Sequence, residues 1–230
     1  MGDILFFFVK NEVRIIDNER FLIRKCNISL FLVYIKVEND KTMEQEKNIL
    51  DGLLRNQPDA QRRLLQQYGE RVFAQIVRII PIQEDAEEVY QDVFLKVFRN
   101  VDSYHAERAS LSTWLLRIAY HEALNFVRGK KPTVISFDDY EPSIEKLSEH
   151  DVDVLMNRTD EETVLLMEQA LQKLLPKEQS LIGMFYYEDL SLKEIAYITD
   201  STTTTIASRL CRIRQKMYHV IKKLKNEREV

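Results

Sequence analysis

A helical repeat of apolar residues runs through most of this chain and constrains its fold more than any other feature. From Glu44 onward, apolar side chains recur at i, i+3, i+4 and i+7, the spacing of one face of an α-helix. The clearest stripe comprises Leu64, Leu65, Tyr68, Val72, Phe73, Ile76 and Ile80. Only five Gly and five Pro occur among 230 residues, too few for a turn-rich β-protein. The sequence therefore predicts an all-α fold.

The length and the charge pattern predict two small helical domains joined by an acidic linker. A chain of 230 residues exceeds the usual size of one domain. Carboxylates dominate residues 138–162, where only Lys146 and Arg158 are basic. We predict one domain over residues 43–131, an acidic linker over 132–162 and a second domain over 163–230. In the second domain, helices are expected up to Pro176, from about Lys177 to Tyr187, from Leu192 to Ile198, and from about Thr204.

Residues 1–42 differ from the helical remainder and form an N-terminal extension. Phe6, Phe7 and Phe8, and later Leu30 to Ile35, are typical of strands and carry no helical stripe. Met43 opens the regular part, so we hypothesise that it is the biological start and that the extension is an upstream artefact. The alternative is a genuine short strand or a partner-binding arm.

Cysteine, charge and motif content argue against several classes of protein. Cys26 and Cys211 lie far apart outside any CxxC or Cys/His cluster, which favours a reducing cytoplasm and indicates no disulfide, metal site or cofactor. The apolar runs near the N-terminus are too short to span a bilayer. The sequence lacks a Gly-rich phosphate loop, an HExxH pair and a nucleophile motif, so neither an enzyme nor a small-molecule substrate is expected. An enzyme built on His121 and Glu122 is the weaker alternative.

The C-terminal part has the pattern of a helix-turn-helix. Ser191 and Glu194 form a capping box that opens a short helix, a polar turn over Thr199 to Thr203 follows, and a basic helix ends the chain. With Ile206, Leu210, Ile213 and Met217 turned inward, Ser208, Cys211 and Arg212 share the outward face and Arg209 and Arg214 flank it. Such a helix can read bases in the major groove. An ordinary solvated basic helix is the plainer interpretation.

Two helices of the first domain also carry polar faces. On the first, Asp85, Glu87, Glu88, Gln91 and Asp92 suit a basic partner surface, although a solvated acidic face is equally consistent with them. On the second, Arg117, His121, Asn125 and Arg128 form one stripe, with Lys130 and Lys131 beyond it, and this stripe suits a DNA strand. His121 alone is more typical of an ordinary surface histidine, and Trp114 of a core residue.

Three stretches in this order resemble the sigma-70 family of transcription initiation factors, in its compact extracytoplasmic-function (ECF) group. They are DAEEVYQDVFLKVF at 85–98, SLSTWLLRIAYHEALNFVRGKK at 110–131 and LSLKEIAYITDSTTTTIASRLCRIRQKM at 190–217, and the resemblance covers roughly residues 44–226.

The resemblance implies an alternative sigma factor without catalytic activity. Region 2 would be residues 43–131 and region 4 residues 163–230. The implied partners are core RNA polymerase, through the clamp helices of its largest subunit, and promoter DNA, with an anti-sigma factor as a further candidate partner. The implied core-binding residues are Asp85, Glu87, Glu88, Gln91 and Asp92. The implied minus-ten residues are Arg117, His121, Asn125, Arg128, Lys130 and Lys131, and the implied minus-thirty-five residues are Thr205, Ser208, Arg209, Cys211, Arg212 and Arg214.

Three positions depart from the family pattern, which usually has Gly at Asp200, Pro near Thr202 and a basic residue near Ala207. The turn and one DNA contact are therefore expected to differ. A dimeric helix-turn-helix regulator that binds operator DNA without polymerase is the alternative function, although such a regulator does not require the polar helices of the first domain.

Overall fold

The computed structural model describes residues 5–9, 12–17, 20–21, 44–130, 152 and 161–228. The chain divides into two compact units, residues 1–48 and residues 49–230. Most of the predicted acidic linker, residues 132–162, lies outside the described residues. So does Lys131, the last basic residue predicted to bind the minus-ten strand.

The first unit contains a small antiparallel sheet of three strands. β1 (Leu5–Val9) pairs with β2 (Glu12–Asp17), and β2 pairs with β3 (Arg20–Phe21), in the order β1-β2-β3. The strand predicted around Phe6, Phe7 and Phe8 is confirmed, and the second β-prone run, residues 30–35, lies outside the described residues. The sheet shows that the extension can form regular structure, but it leaves the hypothesis of a start at Met43 untested.

Four helices form the first helical group, residues 44–130. They are α1 (44–54), α2 (Pro58–Val77), α3 (Gln83–Arg99) and α4 (Leu111–Lys130), with a 3₁₀ turn at Val101–Ser103. Proline at the first position opens α2, as helices tolerate there. Ser110 caps α4, because its hydroxyl accepts the backbone N–H of Thr113 at 3.1 Å.

The predicted apolar stripes form the core of this group. Leu64, Ile76, Val93 and Leu115 are fully buried. Trp114 is only 7% exposed and its ring lies 5.5 Å from that of Tyr104, so the prediction of a core residue is confirmed.

The second helical group, residues 161–228, contains four α-helices. They are α5 (Glu161–Gln172), α6 (Pro176–Ile182), α7 (Leu192–Ile198) and α8 (Thr203–Arg228). The helix expected from Lys177 to Tyr187 is α-helical only to Ile182, and Gly183–Tyr187 forms a π turn instead. This wider turn lies where the chain packs against α2, a long-range contact that local periodicity does not report.

The two helical groups share one continuous apolar core. Polar contacts join them as well, including a buried hydrogen bond of 2.7 Å from the Gln75 amide of α2 to the Ser180 hydroxyl of α6. The predicted all-α fold with two helical groups is confirmed for residues 44–130 and 161–228. No helix in these ranges combines the length and apolar character needed to cross a bilayer.

Candidate functional site

The first polar surface is the outer face of α3. Glu87, Glu88, Gln91 and Asp92 are all exposed, while Ala86, Val89 and Val93 on the opposite face are buried. Leu95 adds a half-exposed apolar side chain one turn after the acidic group. The face therefore offers negative charge next to one apolar side chain.

Asp85 differs from the other four residues predicted on this face. Its carboxylate accepts a hydrogen bond from the Lys130 ammonium at 2.7 Å, and its side chain is mostly covered. Asp85 consequently joins α3 to the end of α4. Its partner Lys130 is one of the residues that were predicted to bind DNA.

The polar stripe on α4 is divided into two parts. Asn125, Arg128 and Lys130 are exposed at the C-terminal half of the helix. Arg117 and His121, nearer its middle, are half-buried and face the second helical group. Only the first part of the stripe is accessible to a DNA strand in this arrangement.

The turn between α7 and α8 covers the second part of the stripe. The carboxylate of Asp200 lies 2.6 Å from Nη2 of Arg117 and 3.1 Å from Nε2 of His121. Arg117 also donates a hydrogen bond to the backbone carbonyl of Tyr197, and its guanidinium lies 4.8 Å from the centre of the Tyr197 ring. One turn residue thus contacts both half-buried members of the stripe.

His121 is held mainly in its neutral form. Burial lowers the pKa of His121, and Arg117 and Arg128 lower it further, whereas Asp200 and a hydrogen bond with the backbone of Ile198 raise it. The net pKa lies below the ordinary value of 6.5. Nε2 of His121 is buried and has no hydrogen-bond partner, so its approach to Asp200 at 3.1 Å is neither a hydrogen bond nor an ion pair of the neutral ring.

The helix-turn-helix is formed by α7, its turn and α8. Ser191 caps α7 through the predicted capping box, with the Glu194 carboxylate accepting the Ser191 backbone N–H at 2.9 Å. Thr202 caps α8, because its hydroxyl accepts the backbone N–H of Thr205 at 3.1 Å. Thr202 therefore supplies a helix start where the family usually has proline.

Glu194 has a second role beyond the cap. Burial alone would raise the pKa of Glu194, but hydrogen bonds from Ser191 and Thr113 and the charge of Arg71 bring it below its usual value. The Thr113 hydroxyl of α4 donates to this carboxylate at 3.1 Å. The Glu194 carboxylate, which completes the capping box of α7, thus also joins α7 to α4 in its ionised form.

The residues predicted to read the minus-thirty-five duplex differ in exposure. Their inward neighbours Ile206, Leu210, Ile213 and Met217 are buried as predicted. Ser208 and Arg212 are exposed, whereas four others are half-buried: Thr205, Arg209, Cys211 and Arg214. The fully accessible face of α8 is therefore centred on Ser208 and Arg212.

Basic residues of the two predicted DNA surfaces lie near one another. Burial lowers the pKa of Lys177 on α6, and the charges of Arg128 on α4 and Arg209 on α8 lower it further. The same two arginines act on Tyr120 of α4, although burial raises the pKa of that phenol. Positive charge from three helices thus converges where the two helical groups meet.

The sequence analysis did not predict the residues that join the two helical groups. Glu188 contacts Arg71 of α2 at 2.7 Å and Arg78, the residue after α2, at 3.3 Å, and Asp200 contacts α4. An aspartate at a position where the family usually has Gly was the one available signal for Asp200. In the part of the chain that the structure describes, no group of three or more His, Cys, Asp or Glu side chains could hold a metal ion.

Comparisons with known proteins agree with the arrangement of these surfaces. The family description "Sigma-70 region 2" matches residues 64–133, and "Sigma-70, region 4" matches residues 165–217. Together the two matches span more than half of the chain.

Two curated relatives and one solved structure illustrate the likeness. The ECF RNA polymerase sigma factor SigW of Bacillus subtilis (strain 168) is 28% identical over 156 residues, which are 65% of this chain and 82% of the relative. The ECF RNA polymerase sigma-E factor of Escherichia coli (strain K12) is 28% identical over 170 residues, 70% of this chain and 86% of the relative.

Among solved structures, the sigma factor RpoE in complex with the anti-sigma factor NepR from Bartonella quintana has a similar fold. Its TM-score is 0.51 at 20% identity, with 70% of this chain and 96% of that chain covered. The paired family matches, the ECF relatives and the helix-turn-helix lead to one conclusion: this chain belongs to the sigma-70 family, within its ECF group.

Proposed function

We propose that this protein is an alternative sigma factor of the cytoplasm, which binds core RNA polymerase and directs promoter-specific initiation without catalytic activity of its own. The observation that carries the proposal is the presence of three polar surfaces, on α3, α4 and α8, within the segments that match sigma regions 2 and 4. A regulator that only binds operator DNA would need the surface on α8 alone.

The acidic face of α3 is the proposed contact with core polymerase. Glu87, Glu88, Gln91 and Asp92 are exposed, and Leu95 lies one turn further along the helix. An exposed apolar side chain next to polar groups suits a protein interface, and the negative charge favours a basic partner such as the clamp helices of the largest subunit. Asp85 would support this face through Lys130 rather than bind the partner directly.

The stripe on α4 is the proposed contact with the minus-ten strand. Asn125 can bond an exposed base edge, and Arg128 and Lys130 can bind phosphates. Lys131 remains a predicted contact, and Arg117 and His121 would join once Asp200 leaves them. The exposed part of the stripe would therefore meet DNA first.

The exposed face of α8 is the proposed reader of the minus-thirty-five duplex. Arg212 can bond guanine bidentately, and Ser208 can bond a base edge or a phosphate. Arg209, Cys211 and Arg214 remain predicted contacts at the borders of this face. Thr205 is hydrogen-bonded to Thr202, so it would mainly hold the start of the helix.

An anti-sigma factor is a further partner that we predict for this chain. The Bartonella quintana sigma factor of similar fold was solved with the anti-sigma factor NepR.

The predicted domain bounds, residues 43–131 and 163–230, also stay predictions.

Transcription by purified core polymerase tests the proposed function. We expect the full chain plus core polymerase to initiate at discrete sites on genomic DNA from the source organism, and core polymerase alone to give none of them. Arg212→Ala should weaken initiation by roughly 5- to 150-fold, as expected for a lost base contact of about 1–3 kcal/mol. Asn125→Ala should reduce strand opening at the same promoters.

Matched variants separate specific effects from loss of charge or stability. Lys222→Ala removes an exposed cation about 15 Å further along the same helix, and Gln66→Ala removes an exposed amide on α2. Both should transcribe normally. Tight binding to duplex DNA with no core association and no new start sites would instead favour the operator-binding regulator.

A further inference from the structure

The turn that joins α7 to α8 occupies part of the proposed strand-binding surface of α4. A single carboxylate, Asp200, spans Nη2 of Arg117 at 2.6 Å and Nε2 of His121 at 3.1 Å. Carboxylates and phosphates are the two anions that the arginine fork binds bidentately. Asp200 therefore holds Arg117 with the type of group that a DNA strand would offer.

The backbone of Asp200 is fixed by the end of α7, where the N–H of Ser201 donates to the carbonyl of Ala196 at 2.9 Å and leaves Asp200 in the left-handed position. Its φ is 52°, in the left-handed region that residues with a side chain seldom adopt. Glycine would adopt this conformation without cost, but it has no carboxylate. Aspartate is among the residues that adopt this conformation most readily, and Asp189 has the same φ. The helix end therefore presents the carboxylate to Arg117 and His121 at little backbone cost.

Contacts of α7, the helix before Asp200, keep the turn against α4. On the α7 side, the Thr113 hydroxyl of α4 donates to Glu194, and the guanidinium of Arg117 stacks on the Tyr197 ring. Further away, Gln75 of α2 donates to Ser180 of α6. The carboxylate is thus presented to the stripe by several elements and does not depend on a free loop.

We propose that Asp200 is an internal competitor of the minus-ten strand, which keeps Arg117 paired and His121 covered until the two helical groups separate. The proposal rests on the proposed function, because it assigns a regulation to the same surface. In the free protein, Asn125 and Arg128 are exposed, Lys130 is exposed but paired with Asp85, and the inner half of the stripe is covered. Strand binding and the Asp200 contact therefore exclude each other at Arg117 and His121.

The test is the affinity of the free full-length protein for a strand. The probe is a fluorescein-labelled single-stranded oligonucleotide that carries the minus-ten segment of a promoter mapped with the holoenzyme. Asp200→Asn keeps the shape of the side chain and tolerates positive φ, and Asp200→Gly removes both the carboxylate and the backbone cost. We expect both variants to bind the strand about two- to fivefold more tightly than the wild type, the range for a partly exposed ion pair.

Asp189→Asn is the matched control, because the loss of any negative charge strengthens binding to DNA. Asp189 is exposed, lies in the same helical group and has the same φ of 52°. We expect it to change strand affinity much less than Asp200→Asn. An equal gain from both variants would mean a general charge effect and would overturn the proposal.

A double-mutant cycle then assigns the effect to the proposed contact. In an Arg117→Ala, His121→Ala background, Asp200→Asn should no longer improve strand binding, because the groups it releases are gone. A gain that persists in this background, or no gain in the wild-type background, would overturn the competitor role. Transcription by the holoenzyme is measured alongside. If the wild type gives no transcription, the proposed function is wrong. If the wild type transcribes normally but the Asp200 variants bind the strand no more tightly, only the role of Asp200 is wrong.

Discussion

At the scale of single residues, Arg117 shows how one side chain can connect two parts of a chain. Its guanidinium contacts the Asp200 carboxylate, the Tyr197 backbone carbonyl and the Tyr197 ring. An arginine can do this because its donors form a rigid fork and its flat face stacks on aromatic rings. A lysine at this position would keep the charge and lose the stacking and the fork.

The neighbouring histidine makes stability depend on pH. The pKa of His121 lies below 6.5 in the folded chain, chiefly because burial disfavours the charged ring, with Arg117 and Arg128 acting in the same direction and Asp200 opposing them. As pH falls through 6.5, the unfolded chain gains a proton that the folded chain does not yet bind, so the free energy of unfolding decreases. Urea titrations at pH 7.5 and 5.5 should show a larger loss for the wild type than for His121→Gln.

The control for this pH dependence is another histidine. His105 is exposed in the loop before α4, so His105→Gln should lose as much stability on acidification as the wild type does. If His121→Gln and the wild type lose equal amounts, the buried histidine is not the source of the effect.

Single-residue predictions from the sequence succeeded where the cause was local. The capping pair Ser191 and Glu194 lies three residues apart, and buried Trp114 follows from its position on an apolar stripe. The partner of Arg117 lies about eighty residues further along the chain, and no local pattern relates the two. Predicted roles in binding polymerase and DNA stay predictions.

At the scale of elements, the segment from Pro176 to Tyr187 changes from an α-helix to a π turn. Gly183 begins the π turn, and a Cβ built there would lie 2.5 Å from Nε of Arg78. The absence of a side chain lets α2 approach this backbone. The Arg78 guanidinium then reaches Glu188, just after the turn, at 3.3 Å.

The start of α7 depends on one hydroxyl. Ser191 Oγ accepts the backbone N–H of Glu194 at 3.3 Å, so Ser191→Ala leaves this donor without its cap. We expect a loss of about 1 kcal/mol in the free energy of unfolding, the usual cost of a lost serine cap. Lys193→Ala changes an exposed residue two positions later and should be close to neutral in the same urea titration. Equal losses in the two variants would contradict a capping role.

Helix positions were predictable because apolar stripes, capping residues and prolines are signals that depend only on residues close together in the sequence. The expected bounds of α7, Leu192 to Ile198, agree with the structure. The π turn was not predictable, because it follows from packing of Gly183 against Arg78 more than a hundred residues earlier.

At the scale of the whole molecule, the two helical groups form one unit through contacts that are distant in sequence. Glu188, only 10% exposed, joins α2 through Arg71 and Arg78, and Gln75 joins α6 through Ser180. An ion pair that is mostly covered is costly to break on one side only, because the remaining charge loses its partner. The sequence predicted two domains and a linker, but it contained no sign that the domains meet.

Two glycines provide a matched test of this contact. Gly183→Ala should displace Arg78 from Glu188 and lower the free energy of unfolding by about 1–3 kcal/mol, the cost of overpacking. Gly129→Ala places its methyl group in open space on α4 and should raise that free energy by about 0.5–1 kcal/mol, the difference in helix propensity. Urea titrations of both variants measure the two changes, and shifts in the same direction would contradict this account of Gly183.

The Asp200 carboxylate is 57% exposed, so it competes with DNA in a way that the ionic strength of the cell can adjust. Added salt screens one carboxylate modestly, with a Debye length of about 8 Å at physiological concentration. Binding a strand releases counterions, and its affinity falls with a logarithmic slope of about 0.7 for every phosphate neutralised. An osmotic upshift that concentrates cellular ions would therefore weaken strand binding more than it weakens the contact between Asp200 and Arg117. The affinity of the free protein for promoter DNA would then fall as the cell loses water.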